Sequence, residues 1–284
     1  MLIAKLGCTP ERLILAKDGE QLDLKEVGAV WYRRVAIAES IPMTMDVQLR
    51  DASIQESCAT IQGMIASLNA FHLDLVHLIR HASNKQLQLQ VARSLGIETP
   101  QTLTTNNPLA VGEFVGECPQ GAIVKMLSSF AIYEEEEEKV VFTNLVKPED
   151  LEDLEGLRFC PMTFQELIPK ALELRTTIAG QQIFTAAIDS QKSQKARYDW
   201  RRRGLALIND WQPYDLPQEL SEKLLQLMDY FGLHYGAIDI ILTPDDRHVF
   251  LEINPVGEFF WLDRCPGLPI SQAIADTLLS HSSW

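Results

Sequence analysis

The sequence predicts a mixed α+β protein built from a few small lobes, and three observations carry that expectation. Apolar residues make up 46% of its 284 positions, enough to fill a core in a chain whose length suits two or three small units. From about residue 121 onward, short apolar runs come in pairs around Gly, Asp or Pro turns, the pattern of β-hairpins, with single helices between them. The segment from Pro217 to Phe231 sets Leu220, Leu224, Leu227, Met228 and Phe231 on one stripe, as a helix laid on a sheet requires. A formal net charge of -14 disfavours nucleic acid and anionic membrane as main partners. No apolar stretch approaches the roughly 18 residues that a bilayer span needs. The five cysteines are scattered, with no C-x-x-C pair, which argues against a disulfide framework or a zinc site and makes the cytoplasm the simplest setting.

Along the chain, residues 12 to 34 read as short strands around a turn at Asp18 and Gly19. Val27 to Tyr32 forms a buried strand with Arg33 and Arg34 at its carboxyl end. Residues 48 to 69 and 84 to 95 are helical; Ser83 or Asn84 caps the second and Gly96 closes it. Ile97 to Pro100 opens a strand. Strand Ala122 to Leu127 contains Lys125, and Ile132 to Val146 is extended but interrupted by five glutamates, Glu134 to Glu138. A short acidic helix follows at Pro148 to Leu157, then strand Thr163 to Ile168. Leu172 to Ile178 and Gln182 to Ile188 pair around Ala179 and Gly180. The helix from Pro217 has Asp215 available as its cap. Gly236 to Leu242 and His248 to Asn254 form the last hairpin, and Ile270 to Leu279 the closing helix.

That last hairpin is the most informative feature. With its turn centred between Asp245 and Asp246, Asp239 stands opposite Glu252, and Asn254 shares the face of Glu252 through the period of two. Two carboxylates about 4 Å apart repel by ~4 kcal/mol even at an effective dielectric near 20, so the arrangement asks for a cation. Oxygen donors without Cys or His favour Mg²⁺ over zinc. The same spacing also fits two acids that each pair with an arginine or cap a loop. Elsewhere, Lys125 inside an otherwise apolar strand must meet an anion or end near solvent. Lys85, at a helix start, either meets an anion or is solvated. Glu173 and Arg175 share a strand face, as cleft residues or as a surface ion pair. Arg201, Arg202 and Arg203, beside Trp200, call for an anionic partner or lie in a solvated loop.

The run from Leu251 to Phe259, L-E-I-N-P-V-G-E-F, resembles the metal-binding signature of the ATP-grasp ligases. These enzymes activate a carboxylate with ATP as an acyl phosphate before joining it to a nucleophile. The resemblance implies an ATP-grasp fold, two α+β lobes gripping ATP. It implies that Asp239, Glu252 and Asn254 hold two Mg²⁺ on the ATP phosphates and that Lys85 and Lys125 are the nucleotide lysines. The strand from Phe164 to Ile168 resembles the hinge that reads adenine, with Glu166 and the backbone of Leu167 and Ile168 as candidates. Glu173 resembles a ribose or metal-side contact, Arg175 an anchor for substrate or transferred phosphate, and Arg201 a charge-stabilising group.

Four strings narrow the likeness: V-W-Y-R-R at 30 to 34, F-Q-E-L-I-P-K-A-L-E-L-R at 164 to 175, Y-D-W-R at 198 to 201, and E-I-N-P-V-G-E-F-F-W at 252 to 261. Together they are similar to the microviridin-type peptide macrocyclases, or graspetide ligases. Those enzymes phosphorylate Asp or Glu side chains of a ribosomally made precursor peptide and join them to Ser or Thr as lactones, or to Lys as lactams. The resemblance implies a Rossmann-like pre-ATP-grasp domain over 1–82, a central lobe over 83–168 and a carboxyl-terminal lobe with the metal site over 169–284. Because family members start with a further strand and helix, it implies a shortened first domain. The precursor's leader helix would dock on a hairpin, Tyr133 to Phe142, and on Glu149, Asp150 and Asp153, acids that on their own read as a solvated helix start. A homodimer is implied as well. Two other readings use the same features: a ligase adding free amino acids to a peptide or protein carboxylate, and an idle peptide-binding scaffold, which predicts missing ligands where this chain has all of them.

Overall fold

The computed structural model of the protein describes residues 2–5, 12–17, 19–33, 37–127, 131–134, 137–140, 143–192 and 207–282. At the amino end, β1 (Leu2–Lys5), β2 (Arg12–Lys17) and β3 (Glu20–Asp23) form an antiparallel meander. Gly19 turns between the last two with φ of 87°, a left-handed value that favours glycine. β4 (Ala29–Val30) runs parallel to β5 (Phe71–His72), with α1 (Val47–Ala66) in the crossover. The expected strand at Val27 to Tyr32 shrinks to two residues because β5 offers it a partner only there. α1 starts where the Asp46 carboxylate accepts the amides of Gln48 and Leu49 at 3.1 and 3.2 Å. A short α2 (Val76–Ala82) leads to α3 (Lys85–Ser94), whose cap is Asn84, accepting from the Leu87 amide at 3.1 Å.

The middle of the chain contributes β6 (Thr102–Thr105), α4 (Pro108–Glu117) and β7 (Ala122–Lys125), then the antiparallel pair β8 (Ala131–Glu134) and β9 (Glu137–Val140). β10 (Asn144–Leu145) and β11 (Met162–Glu166) complete an antiparallel sheet in the order β10-β7-β11-β6. One face, with Leu103, Ala122, Val124 and Phe164, packs on Val111 and Phe114 of α4. The other carries Thr102, Thr104, Lys125, Thr163 and Gln165, brought level by the register Lys125↔Thr163↔Thr104 and Ile123↔Gln165↔Thr102. Within the glutamate run, Glu134 ends β8 and stands opposite Glu137, the first residue of β9, while Glu135 and Glu136 lie outside the described residues. One expectation changes here. The acidic helix is two 3₁₀ turns, Pro148–Leu151 and Glu155–Phe159. Asp150 accepts the Lys147 amide at 2.8 Å and Asp153 that of Glu155 at 3.2 Å, so each acid starts its own short turn instead of extending a common helix.

The remaining elements are β12 (Leu172–Ala179), β13 (Gln182–Ile188), β14 (Gln212–Pro213), α5 (Gln218–Phe231), β15 (Tyr235–Leu242), β16 (His248–Asn254), α6 (Phe260–Arg264) and α7 (Ile270–His281). The strands form one antiparallel sheet in the order β14-β13-β12-β15-β16. α5 begins at Pro217 without a side-chain cap, so Asp215 does not serve as one. Its stripe of Leu224, Leu227, Met228 and Phe231 joins Leu89, Val91 and Ala92 of α3 against Leu174, Ile178, Ile238, Ile240, Phe250 and Ile253. Each such leucine stabilises the fold by roughly 1.5–3 kcal/mol through removal from water. On the opposite face, Phe259, Leu262, Ile270 and Ile274 cover Ala179, Ala186, Ile188 and Tyr235. The rest of that face, towards the starts of β12 and β16 and the end of β15, carries the polar side chains described next. The first unit docks here too: Asp74, almost fully buried, accepts the backbone amides of His234 and Tyr235 at 2.8 and 3.0 Å, and Trp31 packs edge-on to Tyr235 at 5.9 Å.

Candidate functional site

Asp239 pairs with Arg175 on one side and with Glu252 on the other, and Asn254 stands opposite Ala237. The pairing of Asp239 with Glu252 agrees with the sequence reading, but by a different route. Near the turn, Leu242 pairs with His248 and Ile240 with Phe250, a register centred on Asp245; between Ile240 and Asp239 the partner jumps from Phe250 to Glu252. Leu251 is thus an extra residue, a β-bulge. Asp246, with φ of 60°, closes the tighter turn. The bulge resets the alternation: Val249 and Leu251 lie in one apolar cluster with Ile168 and Ile241, while Phe250 and Ile253 point into the core on the other face. Glu252 and Asn254 therefore join Leu251 on the cleft face, where strict alternation would have sent them into the core.

The acids are compensated by cations of the chain itself. Arg175, 7% exposed, donates from Nη1 to Asp239 Oδ1 at 2.7 Å and from Nη2 to the Glu258 carbonyl at 3.0 Å, and its guanidinium lies 5.7 Å from the Trp261 ring centre. Gly257 makes room for it, since a Cβ there would stand 2.8 Å from Nη2 and 2.5 Å from Ala237 Cβ. Lys85 donates from Nζ to the Ile253 carbonyl and to Asn254 Oδ1, both at 3.0 Å, and sits 3.4 Å from Glu252 Oε2. Burial lowers its pKa, against the pull of Glu252 and Asp239, and the charge of Lys125 adds to the lowering. Asn254 Nδ2 donates to Glu252 Oε1 at 3.0 Å and lies 3.5 Å from Asp239 Oδ2. Asp239, Glu252 and Asn254 thus gather in one place, with the Asn254 amide nitrogen towards the acids and its oxygen towards Lys85, and each acid is also paired with a cation.

Other expected site residues are placed as follows. Lys125 projects from the polar face of the central sheet, close enough for its charge to act on Lys85. Glu173, two residues before Arg175 on β12, accepts from Lys170 Nζ at 2.9 Å and from Ser190 Oγ. The Glu166 carboxylate accepts the Gln101 amide at 2.8 Å, and the Leu167 amide donates to the Gly121 carbonyl at 2.9 Å, so both hold the hinge to the rest of the lobe. Ile168, beyond them, belongs to the apolar cluster on the cleft side. Glu149, Asp150 and Asp153 are exposed, the first two in the 3₁₀ turn Pro148–Leu151 and the third just after it. Arg201, with the rest of Tyr198 to Gly204, lies outside the described residues.

Sequence reasoning missed three contributors. Ile241, Val249 and Leu251 read as ordinary strand core until the bulge is known. Gln165, 3% exposed, donates to Thr102 Oγ1 at 3.1 Å while its Oε1 has no hydrogen-bond partner among the described residues; a polar residue alternating with Phe164 in a buried strand was the available signal. Gln88, fully buried on α3, exchanges two hydrogen bonds with the backbone of Ile253. Among the described residues no three His, Cys, Asp or Glu side chains group as metal ligands; the third oxygen here is an amide. Two carboxylates and an amide oxygen, all hard donors, fit Mg²⁺.

Comparison with known proteins follows the same lines. Residues 1–80 match the family described as the MvdD pre-ATP grasp domain. The chain is similar to the macrocyclase MdnC of Microcystis aeruginosa MRC, solved with its precursor peptide MdnA, with 54% identity, a TM-score of 0.89, and coverage of 99% of this chain and 86% of that one. It is similar to a RiPP-associated ATP-grasp ligase of Chryseobacterium gregarium, solved with ADP and a leader and core peptide, at 37% identity and a TM-score of 0.89 over 100% and 85% of the two chains. The macrocyclase MdnB of Microcystis aeruginosa MRC matches at 38% identity and a TM-score of 0.79, over 98% and 86%. Among curated proteins, none matches the chain.

Proposed function

The chain belongs to the microviridin-type ATP-grasp peptide macrocyclases, and on that premise we propose that it uses ATP to close rings in a ribosomally made precursor peptide. The observation that carries this reading is the set of Asp239, Glu252 and Asn254 side chains, gathered by the bulged hairpin and faced by Lys85 and Arg175. A side-chain carboxylate oxygen of a precursor Asp or Glu attacks the terminal phosphorus of ATP, and ADP leaves. A Ser or Thr hydroxyl, or a Lys amine, then attacks the acyl carbon; the carbon–oxygen bond to phosphate breaks, the nucleophile loses its proton, and phosphate departs. Each ring removes one water from the peptide in net terms.

The residues divide this work by chemistry. Lys85 and Lys125 hold the phosphates, and Asp239, Glu252 and Asn254 hold two Mg²⁺. When bound, Mg²⁺ offsets the negative charge on the phosphate oxygens during transfer. Ile168, Ile241, Val249 and Leu251 give the adenine ring an apolar floor, the Ile168 backbone reads its edge, and Gln165 Oε1 accepts from its amino group. Glu166 and Leu167 keep that hinge in place, and Glu173, oriented by Lys170, meets the ribose. Arg175 holds the Asp239 carboxylate in place, and with Arg201 steadies the acyl phosphate. Glu149, Asp150 and Asp153 meet basic residues of the leader helix. The division into 1–82, 83–168 and 169–284, a homodimer and a cytoplasmic setting complete the proposal; among the described residues no helix is long and apolar enough to cross a membrane.

The test is to incubate the protein with a precursor peptide encoded beside it, ATP and Mg²⁺, and to follow intact peptide mass. Successive losses of one water are expected, absent with Asp239→Asn or Lys125→Ala although both variants still bind the leader. Undiminished ring closure in both variants would remove the site assignment.

A further inference from the structure

Among the described residues β16 pairs with a strand on one side only, so its other edge turns backbone donors and acceptors away from the sheet, where each needs a partner if water is excluded. At Ile253, between Glu252 and Asn254, one side chain partners both the amide and the carbonyl. The Ile253 amide donates to Gln88 Oε1 at 2.9 Å, and Gln88 Nε2 donates back to the Ile253 carbonyl at 2.8 Å. Its second Nε2 hydrogen serves the Ala82 carbonyl, and the side chain is 0% exposed. This is the two-bond exchange that an adjoining antiparallel strand would make, supplied by one carboxamide. One turn earlier on the same helix face, Lys85 donates to the same Ile253 carbonyl at 3.0 Å.

We propose that Gln88 is a positioning residue: by clamping the Ile253 peptide it sets the spacing of the Glu252 and Asn254 oxygens on either side. Neighbouring residues of a strand share their linking peptides, so a rotation at Ile253 moves both side chains in opposite senses. Shape alone does not explain the choice of residue, because a leucine would fill the space, leave the buried Ile253 amide unpaired and leave Lys85 alone on the carbonyl. A glutamate would keep the acceptor for the amide and set a carboxylate oxygen against the carbonyl. The inference rests on the metal-binding reading of Asp239, Glu252 and Asn254 proposed above.

The test uses the full chain as wild type, Gln88→Leu and Gln88→Glu, with Mn²⁺ as the probe, titrated by electron paramagnetic resonance in the presence of ADP. Leader-peptide binding by fluorescence anisotropy and thermal unfolding by circular dichroism run in parallel. Gln88→Leu is expected to weaken Mn²⁺ binding ~10–100-fold, the range typical of residues that orient metal ligands, with Gln88→Glu in between and leader affinity unchanged. The Mg²⁺ concentration needed for half-maximal ring closure rises in step, and the rate recovers at saturating Mg²⁺. Wild-type Mn²⁺ affinity in either folded variant overturns the proposal, as does an equal loss of Mn²⁺ and leader affinity, which marks general unfolding. If Gln88→Leu does not fold, Gln88→Glu decides by the same criteria. Asp239→Asn separates the two readings: Mn²⁺ binding retained there defeats the metal assignment itself, whereas binding lost there but kept in both Gln88 variants defeats only the role of Gln88.

Discussion

Arg175 and Lys85 each hold an acid that has little water to share, and the two pairs differ in what the cation is free to do. Arg175 is fixed by Asp239, by the Glu258 carbonyl and by the space Gly257 leaves for it. Arg175→Ala is expected to destabilise the protein by roughly 1.5–3 kcal/mol, as loss of a hydrogen bond to a charged group does, and to abolish ring closure; urea unfolding and peptide mass would read the two effects. Gly257→Ala forces a methyl against Ala237 and the guanidinium, and overpacking of this kind costs about 1–3 kcal/mol, so a melting temperature equal to wild type would contradict the crowding. His234 gives a pH-dependent case. Its hydrogen bond to Asp74 raises its pKa, with burial opposing. A raised folded-state pKa means that its contribution is fully present below the ordinary value of about 6.5 and fades as the pH rises through the raised one. His234→Gln should therefore lower the melting temperature more at acidic pH than at alkaline pH, and an effect independent of pH would refute the pairing.

At the scale of elements, the bulge at Leu251 decides which strand face Glu252 and Asn254 occupy. The shared face of Asp239, Glu252 and Asn254 and a polar turn near Asp245 were legible in the sequence, because period-two alternation and turn residues are local signals, although the turn centres on Asp245 and not between Asp245 and Asp246. The bulge was not legible, since it depends on cross-strand pairing, and its effect of bringing Leu251 to the face of Glu252 and Asn254 escaped the reading with it. Likewise α3 was legible from Asn84 and Gly96, but the role of Gln88 depends on a strand 165 residues further on. The strand expected to open at Ile97 to Pro100 begins only at Thr102, and α4 was missed although Asn107 and Pro108 form a recognisable helix start. On the 3₁₀ segment, Glu149→Lys with Asp150→Lys removes the Lys147 cap, a local loss of about 1 kcal/mol, and reverses the charge presented to a leader. Leader affinity is expected to fall while ADP affinity stays at the wild-type value; equal leader binding would move the docking surface elsewhere.

In the molecule as a whole, the carboxyl-terminal sheet receives α3 and α5 on one face and, at the start of β15, the amino-terminal unit through Asp74 and Trp31. Composition foresaw a core of this size, and the resemblance supplied the order of the lobes, but which residues join them could not be read from a chain in which Asp74 and Tyr235 stand far apart. The central claim is chemical: the cleft above Asp239, Glu252 and Asn254 activates a peptide carboxylate by phosphorylation. The most direct measurement uses a precursor whose Asp and Glu side chains carry heavy oxygen, with mass analysis of the phosphate released. The account predicts one labelled oxygen in phosphate for each ring closed, and rings closed with unlabelled phosphate would contradict it.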